Sequence, residues 1–173
     1  MKKIFTILFL MGSVIANAQV QHVKGIFAAE ALGGMSPYGY YVGIGASYYF
    51  SRNFYLKATL NYEKKEKEEA GGITRTQSSY YMDIPAAFTF YSINNIFYFN
   101  VVGGVTIGVY NEKDIGSFEV PSSFKYGGLL GGEMEVFINS KIAVLINGNV
   151  KYLIGSEFGS KRSYYGIGIK YSF

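Results

Sequence analysis

Cysteine and tryptophan are absent from the 173-residue chain, histidine occurs once and proline three times. Without cysteine the chain has no disulfide framework, and a single histidine rules out a cluster of Cys and His ligands for a transition metal. No nucleophile elbow surrounds any serine, although spacing alone leaves open a catalytic triad assembled in space. The sequence therefore predicts no catalytic residue, no cofactor and no metal site.

Long apolar runs are also scarce. One stretch, 4–15, directly follows two lysines, and a small-x-small site comes after it. This order is typical of a secretory signal peptide, with residues 1–18 as the signal and 19–173 as the exported domain. The residues of the predicted cleavage site are Ala16, Ala18 and Gln19. The alternative, an uncleaved anchor, is disfavoured because a spanning helix needs about 20 apolar residues.

An excess of charge of one sign is missing as well. The formal net charge is +4, and the exported domain keeps +2 once Lys2 and Lys3 are removed. This balance gives little support to nucleic-acid binding, which needs clustered positive charge. The glycine-rich fragment GGVTIG lacks a following helix whose N-terminus could hold phosphate, so no nucleotide site is predicted.

Tyrosine, phenylalanine and glycine are abundant, at 17, 14 and 22 residues. Apolar residues alternate with small or polar ones through most of the exported domain, as where Tyr165, Ile167 and Ile169 share one face of the final segment. A period of two indicates β-strands whose faces meet different surroundings. Eight strands are predicted, at roughly 23–32, 38–50, 53–63, 78–92, 96–111, 124–139, 142–154 and 163–173.

The connections between these strands alternate between short turns and longer polar loops. Short turns are predicted at 51–53, 92–95 and 139–141, and longer loops at 33–37, 64–77, 112–123 and 155–162. This alternation is typical of outer-membrane barrels, whose periplasmic turns are tight. The predicted fold is an all-β, eight-stranded antiparallel transmembrane barrel in the outer membrane, with both termini periplasmic. A soluble sandwich, the alternative, gives no reason for the alternation.

Charged residues fall on the faces predicted to point into the barrel. An eight-stranded barrel is just wide enough for side chains to fill it, so buried charges must pair or be neutralised. We therefore expect an ion-pair and tyrosine network, joined by Lys24 and Glu30, that closes the interior; a conduction path is the alternative. The six residues predicted to form this lumen charge network are Lys57, Asp83, Glu133, Glu135, Lys151 and Lys170.

Three further features lie near the predicted ends of the strands. The charge run EKKEKEE, residues 63–69, is interpreted as a solvated loop tip or, alternatively, as a contact surface for a partner. Lys161 and Arg162 on the last loop are expected to meet lipopolysaccharide phosphates. His22 is interpreted as a periplasmic residue near the first strand, with no role in chemistry.

The last predicted strand ends on an aromatic residue. Pairing of this strand with the first would close the sheet and leave no edge. Tyr171 and Phe173 are predicted to form the terminal signal by which the outer-membrane assembly machinery recognises its substrates. The assembly machinery is therefore an expected partner.

Three stretches of the chain carry a resemblance to a known family. They are DIPAAFTFY with FNVVGGVTIGVYNEKD, the long stretch YGGLLGGEMEVFINSKIAVLINGNVKYLIGSEFG, and the closing YYGIGIKYSF. These stretches resemble the TraO family of conjugal transfer proteins from Bacteroidetes conjugative transposons. The resemblance covers most of the exported domain in order and spacing. It implies a component of a mating apparatus in or at the outer membrane, and it carries over no catalytic residue.

The resemblance and the predicted fold together imply a non-enzymatic outer-membrane barrel associated with the conjugative transfer apparatus. Its expected partners are outer-membrane lipid and lipopolysaccharide, the assembly machinery and other conjugation proteins, with no direct contact to nucleic acid. Two alternatives remain. One is a general structural or adhesin-like barrel unrelated to conjugation, and the other is a lipid-modifying enzyme that works at the barrel rim.

Overall fold

The computed structural model describes residues 22–37, 39–69, 73–113, 119–154 and 161–173. Within these ranges the chain forms eight antiparallel strands, each paired with the next along the chain. They are β1 (Phe27–Ser36), β2 (Gly39–Ser51), β3 (Phe54–Glu69), β4 (Ile73–Ile93), β5 (Phe97–Lys113), β6 (Glu119–Phe137), β7 (Ile142–Ile154) and β8 (Lys161–Ser172). The predicted all-β barrel of eight antiparallel strands is confirmed.

Pairing of β8 with β1 closes the sheet into a barrel. The ladder joins residues 28–35 of β1 to residues 165–172 of β8. Just beyond it, the backbone N–H of Phe173 donates to the carbonyl oxygen of Phe27 at 2.9 Å. The backbone groups of both strands therefore find partners within the sheet, and neither strand is left as an edge along this stretch.

The two ends of the barrel differ. We call the end that carries the 52–53, 94–96 and 138–141 connections the lower end, and the opposite end the upper end. His22 and Phe173 both lie at the lower end, since His22 bonds to Arg52 and Phe173 to the first residue of β1. The predicted signal peptide and its cleavage-site residues lie outside the described residues. Within the described part of the chain, no helix is long and apolar enough to cross a membrane.

Side chains alternate between the interior and the exterior along each strand. On β8, Tyr165, Ile167 and Ile169 are exposed, whereas Tyr164 and Lys170 are buried. The exterior carries an apolar belt between two aromatic girdles. The belt includes Val42, Ile44, Leu60, Val101, Val105, Leu130 and Ile146; the upper girdle includes Tyr40, Tyr80, Phe124, Tyr126, Tyr152 and Tyr165; the lower girdle includes Phe27, Phe50, Phe54, Phe88, Phe90 and Tyr171.

The strands continue further at the upper end than the sequence predicts. β3 pairs with β4 as far as Glu69 opposite Ile73, and β5 pairs with β6 as far as Lys113 opposite Glu119. The long loops predicted at these two hairpins are therefore wrong. The reason is physical: backbone hydrogen bonds hold the ladder, and they do not require apolar and polar residues to alternate along the strand.

Candidate functional site

The lower half of the interior holds three carboxylates and two ammonium groups. We call this set the lower charge cluster; its members are Glu30, Lys57, Glu133, Glu135 and Lys170, and none is more than 5% exposed. Lys57 Nζ lies 2.9 Å from Glu30 Oε1 and 2.6 Å from Glu133 Oε2. Lys170 Nζ lies 3.0 Å from Glu135 Oε1 and 3.6 Å from Glu133 Oε1. Each buried charge thus has an opposite charge in direct contact, as burial requires.

Tyrosine and asparagine side chains surround the carboxylates of the lower charge cluster. The Tyr55 hydroxyl lies 2.8 Å from Glu133 Oε1 and 2.8 Å from Glu135 Oε1. Asn100 Nδ2 donates to Glu135 Oε1 at 2.9 Å. The Lys170 ammonium lies 4.7 Å from the centre of the Tyr55 ring. These contacts replace water around groups that folding has removed from solvent.

A second ion pair lies above the lower charge cluster. Lys151 Nζ is 2.6 Å from Asp83 Oδ2, and Asn61 Nδ2 donates to the same carboxylate oxygen at 2.8 Å. The Lys151 ammonium also lies 4.7 Å from the ring centres of both Tyr81 and Tyr164. We call Asp83 and Lys151 the upper pair. Cation–π contact and ion pairing together hold this ammonium in the barrel interior.

The interior near the upper mouth holds further buried charges, among them Glu63, Lys65 and Arg162, which we call the mouth cluster. Arg162 Nη1 donates to the Tyr81 hydroxyl at 2.7 Å and lies 3.5 Å from Glu63 Oε2. Lys65 Nζ lies 3.2 Å from Glu63 Oε1, and the Tyr164 hydroxyl donates to Glu63 Oε2 at 3.1 Å. All three charged side chains are buried, at no more than 2% exposure.

The sequence interpretation missed the mouth cluster. Arg162, expected to meet lipopolysaccharide, points inward, and Glu63 and Lys65 are not part of a solvated loop tip. Counting residues along each strand could have found them, because every second side chain lies on the same face. Arg162 is an even number of residues from Lys170, and Glu63 from Lys57, so both continue the inward face of their strands. Lys161 does lie on the exposed face.

Two residues near the start of β1 also differ from expectation. His22 is only 1% exposed, its ring stacks on Tyr98 at 3.9 Å between centroids, and its Nε2 lies 3.3 Å from Glu135 Oε2. His22 does lie just before the first strand, as interpreted, but its burial and its contact with Glu135 were not predicted. Lys24 is exposed, so the expectation that it joins the network is wrong. Neither result follows from the alternation, because β1 begins only at Phe27 and a turn precedes it.

The six residues predicted for the lumen charge network all lie in the interior. Four of them meet in the lower charge cluster, and the other two form the upper pair. Glu30, expected beside them, is also in the lower charge cluster. Tyr171 and Phe173 lie at the exposed lower end, with Phe173 72% exposed and the two rings 5.1 Å apart. Their role as an assembly signal stays a prediction.

A cavity of about 40 Å³ lies between the lower charge cluster and the mouth cluster. Its lining includes Asn61, Asp83, Asn147, Lys151 and Tyr164. The cavity is polar and has room for a few water molecules. One oxygen of Asp83 faces this region without a hydrogen-bond partner in the protein, so water is the suitable occupant.

The arrangement around His22 contains the same kinds of group as a catalytic triad, because it places a hydroxyl, an imidazole and a carboxylate in a row. Thr89 Oγ1 lies 3.4 Å from His22 Nδ1, and His22 Nε2 faces Glu135. The Thr89 hydroxyl, however, donates its hydrogen to Asn100 Oδ1 at 2.6 Å. All four side chains are buried. Among the described residues, no group of three or more His, Asp or Glu side chains could hold a metal ion.

Comparison with known protein families identifies a match. A family model described as conjugative transposon protein TraO matches residues 19–173, which include every strand of the barrel. The resemblance carried by the three sequence stretches is thereby confirmed. No curated protein matches the chain.

Several solved structures share this fold at low sequence identity. The N-terminal barrel domain of OprF from Pseudomonas aeruginosa is 10% identical, with a TM-score of 0.66, and covers 87% of this chain and 98% of its own. The attachment invasion locus protein Ail of Yersinia pestis is 12% identical, with a TM-score of 0.60, and covers 87% and 100%. The outer-membrane enzyme PagL is 13% identical, with a TM-score of 0.51, and covers 83% and 98%. Proteins of different function share this barrel, so the likeness establishes the fold alone.

Proposed function

We propose that this chain is a non-enzymatic outer-membrane barrel of a conjugative transfer apparatus, because it belongs to the TraO family of conjugative transposon proteins. The observation that carries the proposal is the family match over residues 19–173. The fold supports the location, since a closed barrel leaves no unpaired strand edge and the exterior belt is apolar.

The two aromatic girdles support a placement with the belt in the hydrocarbon layer, since tyrosine and phenylalanine rings favour the two interfaces of a bilayer. The lower end would face the periplasm, after export directed by the signal peptide over 1–18. Outer-membrane lipid is then the partner of the belt, and Lys161, exposed at the upper end of β8, is placed to meet lipopolysaccharide phosphate. Tyr171 and Phe173 would be read by the assembly machinery.

The closed interior supports a structural or adhesive role in transfer over a conducting one. The three sets of ion pairs and their tyrosine partners occupy the interior from the lower charge cluster to the mouth cluster. An eight-stranded barrel filled in this way is too narrow for a DNA strand. We therefore propose that the protein contacts other conjugation proteins, or the recipient cell, and not nucleic acid.

Deleting the gene from a donor strain is expected to lower conjugal transfer by orders of magnitude, and the intact gene supplied on a plasmid should restore it. The measurement is the number of transconjugants per donor, with growth and outer-membrane protein content of the donor as controls. Unchanged transfer, with the protein confirmed in the outer membrane, would instead support a general structural or adhesin-like barrel.

The upper β3–β4 hairpin can be tested separately from the barrel. Glu66 pairs with Thr76, so replacing residues 67–75 by Asn-Gly shortens both strands equally and keeps the register. If this hairpin contacts a partner, the variant should remain a heat-modifiable barrel in the outer membrane and yet fail to restore transfer. A variant that restores transfer fully would move the contact to another surface.

Purified protein in planar bilayers is expected to give no steady ionic conductance. The reason is that the charged side chains of the lower charge cluster, the upper pair and the mouth cluster are paired, and the cavity between the lower charge cluster and the mouth cluster is only about 40 Å³. A porin measured in the same bilayers is the positive control. Steady conductance from a preparation that is fully folded by gel mobility would contradict the closed interior and favour a conduction path.

A further inference from the structure

A short turn carries His22 into the lower mouth of the barrel. We call residues 22–26 the N-terminal turn. Gly25 has a φ of 88°, which favours glycine, and its N–H donates to Tyr49 O at 2.7 Å. The N–H of Tyr49 in return donates to Ile26 O at 3.0 Å. These bonds fix the turn against β2, with the His22 side chain buried in the lower mouth.

The ring of His22 fills a pocket of four aromatic side chains. It stacks on Tyr98 at a centroid distance of 3.9 Å and an interplanar angle of 17°. Tyr49, Tyr55 and Phe137 surround it at 4.8, 5.8 and 5.9 Å. Such a pocket favours a cation, because aromatic faces carry negative potential. The ring therefore closes the lower mouth in an environment suited to positive charge.

Both ring nitrogens of His22 face hydrogen-bond acceptors. Nδ1 lies 3.1 Å from the backbone carbonyl oxygen of Arg52, and Nε2 lies 3.3 Å from Glu135 Oε2. A carbonyl and a carboxylate can only accept, whereas a neutral imidazole has a single N–H to donate. The doubly protonated ring alone satisfies both partners.

The Thr89 hydroxyl, the second neighbour of His22 Nδ1, also faces the ring as a hydrogen-bond acceptor. Glu135 Oε1 accepts from Asn100 Nδ2, which fixes the amide so that Asn100 Oδ1 points the other way. The Thr89 hydroxyl donates to that oxygen at 2.6 Å and thus presents a lone pair to His22 Nδ1 at 3.4 Å. Every atom within hydrogen-bonding distance of either nitrogen is then an acceptor.

The charges around the ring agree with a cation at this position. The lower charge cluster has three carboxylates but only two ammonium groups, so an imidazolium would balance it. The titratable and charged groups around His22 are Tyr49 of β2, Tyr55 of β3, Tyr98 of β5, Glu135 of β6 and Lys170 of β8, which bonds Glu135 on its other oxygen. Lys24, on the turn itself, points to solvent.

We propose that His22 is a protonated latch, which holds the N-terminal turn in the lower mouth of the barrel and releases it when the ring loses its charge. The latched state binds one more proton than the released state, so rising pH favours release. Between about pH 5 and pH 8, histidine is the side chain that can supply such a change. The lower mouth of the barrel thereby responds to pH.

The protonation state can be read directly, because His22 is the only histidine in the chain. Protein labelled with ¹⁵N-histidine and folded in detergent micelles should give one pair of ring resonances. At about pH 6, both nitrogens are expected to show the signature of the doubly protonated ring. A neutral tautomer at that pH would overturn the latch.

Release of the turn can be measured with a nitroxide on a cysteine introduced at Val23, since the chain has no other cysteine. Raising the pH from about 6 to about 9 should shift the ratio of immobile to mobile label by about tenfold, as expected when one buried hydrogen-bonding group loses its partner. His22→Gln should abolish the shift, and Lys24→Gln, which removes an exposed charge from the same turn, should preserve it. An unchanged ratio in the labelled parent, a label mobile at every pH, or an equal shift in His22→Gln would each overturn the proposal.

Discussion

Replacing Lys170 by methionine is expected to destabilise the barrel by about 3–5 kcal/mol, the range for breaking a buried ion pair by removing one partner. The Lys170 ammonium is fully buried and lies 3.0, 3.6 and 3.8 Å from carboxylate oxygens of Glu135, Glu133 and Glu30. Methionine fills most of the same volume, so the loss is mainly one of charge. Lys57 would keep its ion pairs with Glu30 and Glu133, whereas Glu135 would lose its ammonium partner.

The measurement is urea-induced unfolding in lipid vesicles, followed by the gel mobility of folded and unfolded forms. Lys161→Met, which removes an exposed lysine from the same strand, is the matched control and should stay within about 0.5 kcal/mol of the parent. The double variant Lys170→Met with Glu135→Gln should recover part of the loss, because it removes the carboxylate left without its ammonium partner. Equal stability of Lys170→Met and the parent would show that the cluster does not hold the barrel together.

Much of this interior could be predicted from the sequence, because a period of two fixes which residues point inward once a strand is recognised. Lys57, Asp83 and Lys151 were assignable in this way, since apolar residues flank each of them. The same alternation places Arg162 and Glu63 on the inward face, but they lie beyond the apolar belt, where the exterior residues become polar. There the contrast between the two faces disappears, and only the count from an inner residue remains.

The partners within the interior could not be predicted in the same way. The two-residue alternation predicts that Lys170 and Glu135 both point inward. Their contact, however, depends on the register of strands that are far apart in sequence. His22 shows the limit more clearly. It lies outside any strand, and its burial depends on a turn at Gly25 and on a pocket assembled from four strands. No local pattern carries that information.

The sequence also does not show which glycine of an adjacent pair is required by close packing, whereas the structure does. In four Gly-Gly pairs of the described chain, a Cβ on one glycine would meet the backbone of a neighbouring strand, whereas a Cβ on the other would meet nothing closer than 3.5 Å. The blocked and open members are Gly34 and Gly33, Gly104 and Gly103, Gly127 and Gly128, and Gly131 and Gly132. The blocked members lie on the inward face and the open ones on the exterior.

Substituting the two glycines of one pair by alanine is therefore expected to change stability in opposite directions. A Cβ at Gly104 would overlap the carbonyl oxygen of Ile84 and the Cα of Pro85, and backbone atoms cannot move aside as a side chain can. Gly104→Ala should cost about 1–3 kcal/mol, the range for overpacking. At Gly103 the nearest atoms are Leu130 Cδ1 at 3.5 Å and Leu129 O at 3.8 Å. Neither glycine has a positive φ, so Gly103→Ala should stabilise by about 0.4–1 kcal/mol through the unfolded chain.

Because the two substitutions add the same methyl group at neighbouring positions, most effects on expression, export and helix or strand preference cancel between them. The readout is again the urea midpoint in lipid vesicles, compared for the parent, Gly103→Ala and Gly104→Ala. A difference of the predicted sign would show that close approach of β4 and β5 on the inward face, and not chain flexibility, requires glycine at 104. Equal effects at both positions would mean that the strands separate enough to admit a methyl group, and the inward crowding inferred for all four pairs would then be wrong.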